Sequence, residues 1–505
     1  MSKVTIQLDA LSGALPGRLV DELKTQNPWW TGRSMQSLPP FRRWPFELLL
    51  TRLTREQPLA RINVLRGPRQ IGKSTLQLQI VERLLADGVE PHRILRVQFD
   101  DLPSIRGMAG ADPILQIVEW YENRLQGGDL NRAAKLGVHS YLFFDEVQNL
   151  ADWHVQLKAL VDRTDVRVLV TGSSALRIER GRDSLAGRIQ TLEVGPFRLS
   201  EIASVNKLGP LPPFEAGNGF RAWSTSAFWT ALTAHGVQHR ELLDVTFGAF
   251  SERGGYPLAQ NRSIEWSEVA HQLNETVIKR VIQHDLRVGE RGRKRDPQLL
   301  EEMFRMAARY CGQSPTLSEL ARQARDTLEA NVGVQRVRTY IEFLDSSLLV
   351  RTVKPLELRL KKRQGAPKFC LSDHALRAAW LDEVIPIAPK ALDEDPTRSD
   401  LAGRIAESCV GYFFASLDIP VSHLPARRGE PEVDFVITAG DHRIPVEVKY
   451  QKRIDPVRDV AGLQTFISKP ANRAPIGVLV IRDDTKLDLP PNIVAVPLKT
   501  LLLAR

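Results

Sequence analysis

The sequence has few cysteines and no long apolar run. Its three cysteines, Cys311, Cys370 and Cys409, are widely spaced and fit neither a disulfide framework nor a metal-binding pattern. The absence of 18 consecutive apolar residues excludes an ordinary transmembrane helix. The N-terminus lacks the basic and then apolar segments of a secretory signal. These absences predict a cytoplasmic protein in a reducing compartment, with no membrane partner.

The bulk composition is that of a folded protein with several domains. The chain has 505 residues, which is too long for a single core. Hydrophobic residues make up 43% and charged residues 26%, which excludes a disordered chain. The formal net charge of +9 is compatible with a nucleic-acid partner.

Short β-forming runs alternate with helical stretches between residues 60 and 200. The runs lie at 62–66, 93–99, 141–144 and 167–170. Continuous apolar strands between helices are typical of a parallel sheet covered on both faces. The sequence therefore predicts an α/β fold with a parallel-sheet core. Residues 1–59 precede it as an arm, whose tryptophans we expect to pack against the core rather than bind a base.

A phosphate-binding pattern, G-x-x-x-x-G-K-[ST], follows the first predicted strand and opens a predicted helix. Its residues are Gly67, Pro68, Arg69, Gln70, Ile71, Gly72, Lys73, Ser74 and Thr75. The glycines let the backbone wrap around a phosphate, and the loop amides and helix N-terminus attract the anion. We expect ATP here, with Lys73 on the β- and γ-phosphates and Ser74 on Mg²⁺.

Two acids, Asp145 and Glu146, end the buried run at 141–144. They fall at the strand edge where open α/β sheets bind ligands. Asp145 is expected to hold Mg²⁺, directly or through water, and Glu146 to act as general base towards the attacking water. The structural alternative is an acidic pair that caps the next helix.

Further along the chain, two polar residues are expected to complete the site. The run at 167–172 is followed by Ser173, the expected sensor between the acids and the γ-phosphate, with Ser174 or a plain turn as alternatives. Arg188 comes after this region and is the candidate arginine finger, which would stabilise transition-state charge in a neighbouring subunit. The alternative is an ordinary surface arginine.

The order of GPRQIGKST, FFDEVQ, TGSS, SLAGR and GGYP resembles the prokaryotic AAA-type (AAA+) ATPases that carry a C-terminal domain of unknown function. The resemblance runs from residue 60 to the end. It implies an ATP hydrolase that uses ATP and Mg²⁺. It also implies self-association into a ring, expected as a hexamer, in which a neighbour completes each site. Residues 203–242 depart from the short link of this family and are interpreted as an insertion.

Three helical patterns and a basic hairpin occupy residues 296–376. Thr316 and Glu319 form a capping-box pattern at the second helix. This succession is typical of a winged helix-turn-helix, whose third helix enters the major groove and whose wing contacts phosphates. The expected DNA contacts are Gln335, Arg336, Arg338 and Thr339 on the third helix and Lys361, Lys362 and Arg363 in the wing. A role in packing and assembly alone is the alternative.

The C-terminal region combines Glu407 in a helical pattern with Asp434 and Glu447 in two strand patterns. The strands are close enough in sequence to be antiparallel neighbours, and Lys449 shares a strand face with Glu447. Metal plus lysine suits phosphodiester hydrolysis. The set resembles the PD-(D/E)XK nucleases, which implies Glu407, Asp434 and Glu447 as metal ligands and catalytic roles for Glu447 and Lys449. Surface salt bridges, or DNA binding without cleavage, are alternatives.

The predicted architecture is a P-loop AAA+ core with a helical lid, a winged helix and a small α/β restriction-nuclease-like domain. The predicted boundaries are 1–59 arm, 60–202 ATPase core, 203–242 insertion, 243–295 lid, 296–376 winged helix, 377–395 linker and 396–505 nuclease-like domain. The predicted function is that of an ATP-driven motor that remodels DNA, translocates on DNA or migrates DNA branches. The nuclease-like domain would cleave DNA or bind particular DNA structures. The alternative is a regulatory or signalling ATPase whose C-terminal domain recruits a protein.

Overall fold

A computed structural model describes residues 15–505 apart from 108–111, 127, 151, 173–184, 216, 218, 286–295, 358–364, 418 and 427–430. The chain divides into two compact units, Met1–Val194 and Gly195–Arg505. In the described residues, every helix is too short or too polar to cross a lipid bilayer.

The described part of the first unit contains six α-helices and five strands. The helices are α1 Gly17–Gln26, α2 Pro45–Thr54, α3 Lys73–Ala86, α4 Pro113–Tyr121, α5 Leu130–Lys135 and α6 Trp153–Arg163. The strands are β1 Ile62–Arg66, β2 Ile94–Gln98, β3 Tyr141–Asp145, β4 Arg167–Gly172 and β5 Ile189–Glu193.

All five strands form one parallel sheet in the order β2-β3-β4-β1-β5. Strands β3 and β4 are buried along their whole length, as their continuous apolar sequences require. The predicted α/β class and parallel core are confirmed. Because β4 lies between β1 and β3, the loops after these strands meet at the same edge of the sheet.

The N-terminal arm packs against β2. The indole N–H groups of Trp29 and Trp30 both donate to the carbonyl oxygen of Ile94, at 3.0 and 2.8 Å. The buried Asn27 side chain donates to the carbonyl oxygen of Arg96 and accepts from the Arg96 backbone N–H. The expectation that these tryptophans serve packing is confirmed.

The second unit carries twelve α-helices and seven strands in its described residues. The helices are α7 Leu199–Val205, α8 Ser226–Gln238, α9 Arg240–Arg253, α10 Trp266–Leu273, α11 Pro297–Arg309, α12 Leu317–Leu328, α13 Val334–Ser346, α14 His374–Leu381, α15 Pro389–Glu394, α16 Ser399–Ser416, α17 Ala461–Ile467 and α18 Leu498–Leu501. The strands are β6 Val350–Val353, β7 Lys368–Leu371, β8 Val421–Leu424, β9 Val433–Ala439, β10 His442–Lys449, β11 Gly477–Ile481 and β12 Ile493–Pro497.

A mixed five-stranded sheet forms the C-terminal part, in the order β12-β11-β10-β9-β8. Strands β9 and β10 are antiparallel neighbours, as their spacing predicts, and β10 pairs with β11 in parallel. A second, two-stranded sheet pairs β6 with β7 in antiparallel fashion. It follows the three helices α11, α12 and α13 in the chain.

Two predicted segments contain helices that the sequence interpretation did not include. The predicted insertion at 203–242 contains the helix α8 and the start of α9. Trp223, which precedes α8, and Trp229, within α8, are buried. The predicted linker at 377–395 contains the end of α14 and the helix α15. Pro389 starts α15, where a missing N–H carries no penalty. Prolines in these segments begin helices or join them and do not indicate an extended linker.

Helix α16 contains two glycines in contrasting surroundings. A Cβ at Gly411 would lie 2.2 Å from Cys370 Sγ and 2.7 Å from Phe435 Cε1, whereas a Cβ at Gly403 would meet nothing within 4 Å. We expect Gly411→Ala to destabilise the second unit by about 1–3 kcal/mol through overpacking. The matched change Gly403→Ala should be neutral or stabilise by up to about 1 kcal/mol, because alanine favours helices. Thermal unfolding of the two variants measures this difference, and equal melting temperatures would contradict the close packing of α16 on β7.

Candidate functional site

The phosphate-binding loop connects β1 with α3 and depends on two glycines. A Cβ at Gly67 would lie 2.2 Å from the carbonyl oxygen of Val194, so a larger residue would displace the loop. Gly72 adopts φ +90° at the position before Lys73, the first residue of α3. Gln70 also has a positive φ, +62°. The backbone thus curls around the space in front of the helix N-terminus, which favours an anion.

Lys73 and Arg43 both bond to carbonyl groups of this loop. The Lys73 ammonium is buried and donates to the carbonyl oxygens of Gly67 and Pro68, at 3.0 and 2.8 Å. Arg43, from the N-terminal arm, donates to the carbonyl oxygen of Ile71 at 2.8 Å. Arg43 therefore supports the loop from outside the motif, and Lys73 lies where a phosphate in the loop would meet it.

The two acids lie at the end of β3 and differ in their surroundings, because Asp145 is its last residue and Glu146 follows it. Asp145 is 1% exposed, accepts from the Thr171 hydroxyl of β4, and forms an ion pair with Arg96 of β2 at 3.1 Å. Glu146 has φ +52° and accepts a hydrogen bond from the Gln148 side chain. The backbone N–H of Glu146 donates to Thr171 at 3.4 Å. The strand end thus holds the Asp145 carboxylate in place, whereas Glu146 begins the turn that follows β3.

The side chains and backbone amides at this edge of the sheet are suited to bind Mg²⁺ and a nucleoside triphosphate. The loop amides and Lys73 are suited to the phosphates, and the hydroxyl of the half-buried Ser74 and the carboxylate of Asp145 are oxygen ligands of the kind Mg²⁺ prefers. Glu146 is the carboxylate that could activate water. The remaining motif residues, Arg69, Gln70, Ile71 and Thr75, form the wall of the loop and the first turn of α3.

Of the predicted sensor and arginine-finger residues, the structure describes only Arg188. Ser173 lies outside the described residues. Arg188 precedes β5, and its carbonyl accepts from Ile62 at the start of β1, the end of the strand opposite to the phosphate loop. Its guanidinium pairs with Asp162 through two hydrogen bonds of 2.6 and 3.1 Å. Because β1 has five residues, Arg188 lies roughly 16 Å from the loop of its own chain.

The predicted DNA-reading residues lie on α13. Gln335, Arg338 and Thr339 are exposed, whereas Arg336 is half-buried and pairs with Asp296 at 3.2 Å. The predicted wing residues Lys361, Lys362 and Arg363 lie outside the described residues. The stem of the hairpin is packed, because Leu356 and Lys354 form backbone hydrogen bonds with His423 of β8.

The second unit contains a buried cluster of acids around Lys368, the first residue of β7. The ammonium of Lys368 donates to Glu407 of α16 and to Asp434 of β9, the latter at 3.1 Å, and lies 3.5 Å from Glu432. Glu447 of β10 accepts from Lys449 at 2.6 Å. The structure thus brings Glu407, Asp434, Glu447 and Lys449 into one region, with an additional lysine inside it.

The electrostatics of the cluster follow from burial and from these lysines. Burial, reinforced by Asp434, raises the pKa of Glu407 well above its usual range and that of Glu447 to about 8. Burial opposes ionisation of Asp434, but Lys368 and the Val448 N–H outweigh it, so that its pKa is lowered. Burial also disfavours the Lys368 ammonium, yet Asp434 and Glu407 raise its pKa. The cluster is therefore organised around an ionised Lys368–Asp434 pair.

A divalent metal does not fit this arrangement. Within the part of the chain that the structure describes, no group of three or more His, Cys, Asp or Glu side chains is placed to hold a metal ion. The predicted ligands Glu407 and Asp434 direct their oxygens at the Lys368 ammonium, and the third, Glu447, pairs with Lys449. The prediction of a metal site on Glu407, Asp434 and Glu447 thus differs from the structure, because a lysine already supplies the positive charge.

Four residues of these sites escaped the sequence reasoning. Arg43, Arg96, Thr171 and Lys368 are all buried and bond to the sites from other elements. The signal in each case is a polar residue in or beside an apolar run, as in Ile94-Leu-Arg-Val, Val168-Leu-Val-Thr and Lys368-Phe-Cys-Leu. Buried charges are rare unless paired, so such residues mark a partner elsewhere in the chain.

The fold and the phosphate loop define a P-loop ATPase domain. In agreement with this class, the family described as "AAA domain" matches residues 60–203. Residues 60–203 are therefore similar to AAA-type domains. Two families described as domains of unknown function, DUF8612 and DUF4143, match residues 247–384 and 403–501. The winged helix and the nuclease-like domain remain predictions.

Similar proteins include uncharacterized proteins from bacteria and an archaeon. One from Mycobacterium tuberculosis is 25% identical over 396 residues, which are 75% of this chain and 71% of that protein. One from Methanocaldococcus jannaschii is 27% identical over 172 residues, 33% of each chain. Among solved structures, the Walker-type ATPase of Pyrococcus abyssi is 13% identical, with a TM-score of 0.38 over 68% of this chain and 99% of that chain. Cdc6p from Pyrobaculum aerophilum is 13% identical, with a TM-score of 0.25 over 69% and 96%.

The raised pKa of Glu447, about 8, predicts a pH-dependent stability. A carboxyl whose folded pKa exceeds its unfolded value stabilises the fold fully below about pH 4.5, and this contribution is lost as the pH rises through about 8. The substitution Glu447→Gln leaves an uncharged side chain at this position at every pH. The melting temperature of Glu447→Gln minus that of wild type should therefore increase by a few degrees as the pH is raised from about 5 to about 8.

The exposed Glu394→Gln is the control for this pH series, because it removes one negative charge from the same unit. Differential scanning fluorimetry in matched buffers supplies the measurement. A difference between Glu447→Gln and wild type that stays constant across the pH range would contradict the raised pKa.

Proposed function

We propose that this protein hydrolyses ATP with the help of Mg²⁺ and uses the energy to remodel, translocate on or migrate branches in DNA. The observation that carries the ATPase part is the convergence at one sheet edge of the phosphate loop after β1 with Asp145 and Glu146 at the end of β3. Lys73 and the loop amides would bind the phosphates, Ser74 and Asp145 would hold Mg²⁺, and Glu146 would activate water.

The part of the proposal that concerns DNA is supported by the second unit. Helices α11, α12 and α13 followed by the β6–β7 pair have the element order of a winged helix. Gln335 and Arg338 are exposed on α13, as side chains that read a groove must be. The net charge of +9 favours a polyanion.

We further propose that the C-terminal α/β domain contributes DNA-structure binding. Its sheet and helix α16 carry the predicted nuclease-like residues, but Lys368 fills the centre of their cluster. A nuclease-like fold can bind DNA without cleaving it, since fold and chemistry are separable. No hydrolytic step is therefore assigned to this domain.

The first experiment measures ATP hydrolysis by the full chain without DNA and with linear duplex, single-stranded DNA or a four-way junction, in Mg²⁺. We expect at least one DNA form to stimulate turnover. Stimulation should weaken steeply with salt, because phosphate contacts release counterions. Lys73→Ala should lose ATP binding, and Glu146→Gln should retain binding and lose hydrolysis.

Arg338→Ala tests the DNA-reading helix in the same assay. It should reduce DNA stimulation without changing basal turnover, whereas the exposed Arg322→Ala on α12 is the matched control. ATP turnover that no DNA alters, together with absence of DNA binding at low salt, would exclude the motor. That result would favour the alternative, a regulatory ATPase whose C-terminal domain recruits a protein.

We also propose that the protein assembles into a ring, expected as a hexamer, in which Arg188 acts in a neighbour's site. This hypothesis is supported by the position of Arg188 at the edge of the sheet opposite to its own phosphate loop. Asp162 holds its guanidinium in the isolated chain, so assembly must exchange this pair for a phosphate contact.

Mixing of subunits tests the role of Arg188. Arg188→Ala alone should abolish turnover, and adding Lys73→Ala subunits, which supply Arg188 but lack a working phosphate loop, should restore part of it. Arg83→Ala is the matched control, because the Arg83 side chain is also half-buried and pairs with an aspartate, Asp87. If mixed subunits show no recovery at any ratio, Arg188 does not act between subunits.

A further inference from the structure

Arg96 is a buried arginine in the middle of β2. Its side chain is only 6% exposed, and it lies on the same strand face as Gln98, two residues further on. Gln98 pairs in register with Asp145 of β3, so all three side chains lie on one face of the sheet. A buried guanidinium destabilises a fold unless it is paired, so its partners indicate its role.

The guanidinium joins two elements that carry expected Mg²⁺ ligands. Its Nη2 donates to Asp145 Oδ2 at 3.1 Å and to the Gln98 side chain at 2.9 Å. Its Nε donates to the side-chain oxygen of Gln77 at 3.1 Å. Gln77 lies on α3 three residues after Ser74, and residues with this spacing share one side of a helix. Arg96 therefore bridges the strand that ends in Asp145 and the helix that carries Ser74.

The main chain of Arg96 is held from the outer side of the sheet, where β2 is the edge strand. The Asn27 side chain donates to the carbonyl oxygen of Arg96 at 2.8 Å and accepts from its N–H at 2.7 Å, as a neighbouring strand would. The Gln26 side chain repeats this pattern at Gln98, at 3.2 and 2.7 Å. The N-terminal arm thus takes the place of a further strand and fixes the position from which Arg96 reaches the site.

Both oxygens of the Asp145 carboxylate accept hydrogen bonds. One accepts from Arg96 and the other from the Thr171 hydroxyl. A carboxylate held by two donors from different strands has a fixed orientation, which also fixes the direction of its remaining lone pairs. Mg²⁺ demands near-ideal octahedral geometry, so the separation and direction of its protein ligands must be closely set.

We propose that Arg96 is a positioning residue of the ATPase site, which sets the separation of the two expected Mg²⁺ ligands, Ser74 and Asp145, because it bonds to α3 and to β3 at once. In this role Arg96 acts through Asp145 and does not touch ATP. The inference rests on the proposed ATPase function and deepens it, since it assigns control of Mg²⁺ binding to a residue outside the phosphate loop and the acidic pair.

The coupling between Mg²⁺ and ATP tests the proposal. Each variant of the full chain also carries Glu146→Gln, which should bind ATP without hydrolysing it, and calorimetry gives the dissociation constant of ATP in EDTA and in Mg²⁺. The constant in EDTA divided by that in Mg²⁺ is the coupling ratio. Arg96→Met should lower this ratio about tenfold and change the constant in EDTA by less than about twofold. Arg96→Lys keeps the charge but lacks the planar fork, so it should recover only part of the ratio.

Arg167→Met is the matched control. Arg167 is also a buried arginine of this sheet and pairs with an aspartate, Asp165, at 2.8 Å, but it lies at the start of β4, the end opposite to the phosphate loop. Its loss removes a buried ion pair far from the expected Mg²⁺ ligands, so the coupling ratio should stay that of the parent chain. Gln77→Met removes the hydrogen bond between Arg96 and α3 and should lower the ratio severalfold, which supplies the test if Arg96→Met fails to fold.

Two results would overturn the proposal. A coupling ratio in folded Arg96→Met, or otherwise in Gln77→Met, that equals the ratio in Arg167→Met would show that Arg96 only supports the fold. A ratio that rises would show that the guanidinium repels Mg²⁺ and does not place its ligand. Absence of ATP binding by the Glu146→Gln parent would instead refute the proposed ATPase itself, and this is seen before any Arg96 variant is compared.

Discussion

The parallel register of β1, β4 and β3 is the constraint on which the chemistry of the first unit depends. Leu65 pairs with Thr171 and Phe144 with Val170, so the three strands end within about one residue of each other. The phosphate loop, the Thr171 hydroxyl and the Asp145 carboxylate therefore share one edge. A shift of register by a single residue would turn Asp145 to the other face of the sheet and separate it from Thr171.

Burial of charge imposes the next requirement in both units. A carboxylate that is almost wholly removed from water, as Asp145 is, needs a paired cation and hydrogen-bond donors. Arg96 and Thr171 supply these for Asp145, and Lys368 supplies the cation for Asp434. In both sites the compensating residue comes from another strand, so the functional acids also join the elements around them.

Most of the first unit could be predicted from the sequence, because its signals are local. The apolar runs predicted the bounds of β1 to β4 to within one or two residues. The phosphate loop has a defined spacing between a strand and a helix. Lys449 and Glu447 share a strand face for the same local reason. The nucleotide-binding and DNA-contact roles of individual residues stay predictions, since they depend on ligands.

The parts of the fold and of the two sites that were not predicted depend on contacts between residues far apart in the sequence. The composition of the chain does not reveal such contacts. Lys368 and Asp434 are 66 residues apart, and Arg96 and Asp145 are 49 apart. A lone lysine before Phe-Cys-Leu predicts an ordinary strand end, and only the folded chain brings the acids to it. The helices within the predicted linker 377–395 escaped the sequence reasoning for a related reason. Proline content indicated a break, while α14 and α15 satisfy their hydrogen bonds within helices.

The described stem of the hairpin is packed. Backbone groups of Lys354 and Leu356 pair with His423 of β8, and Gly365 lies against Pro355 and Pro425. Lys368, at the far strand of the hairpin, has no charge to offer DNA because its ammonium is buried among acids. The described hairpin residues are thus used for packing, whereas Gln335, Arg338 and Thr339 of α13, which the sequence predicts to contact DNA, are exposed. Because Arg336 is paired with Asp296, a groove-binding α13 would have to read DNA chiefly through those three side chains or exchange this ion pair for a phosphate.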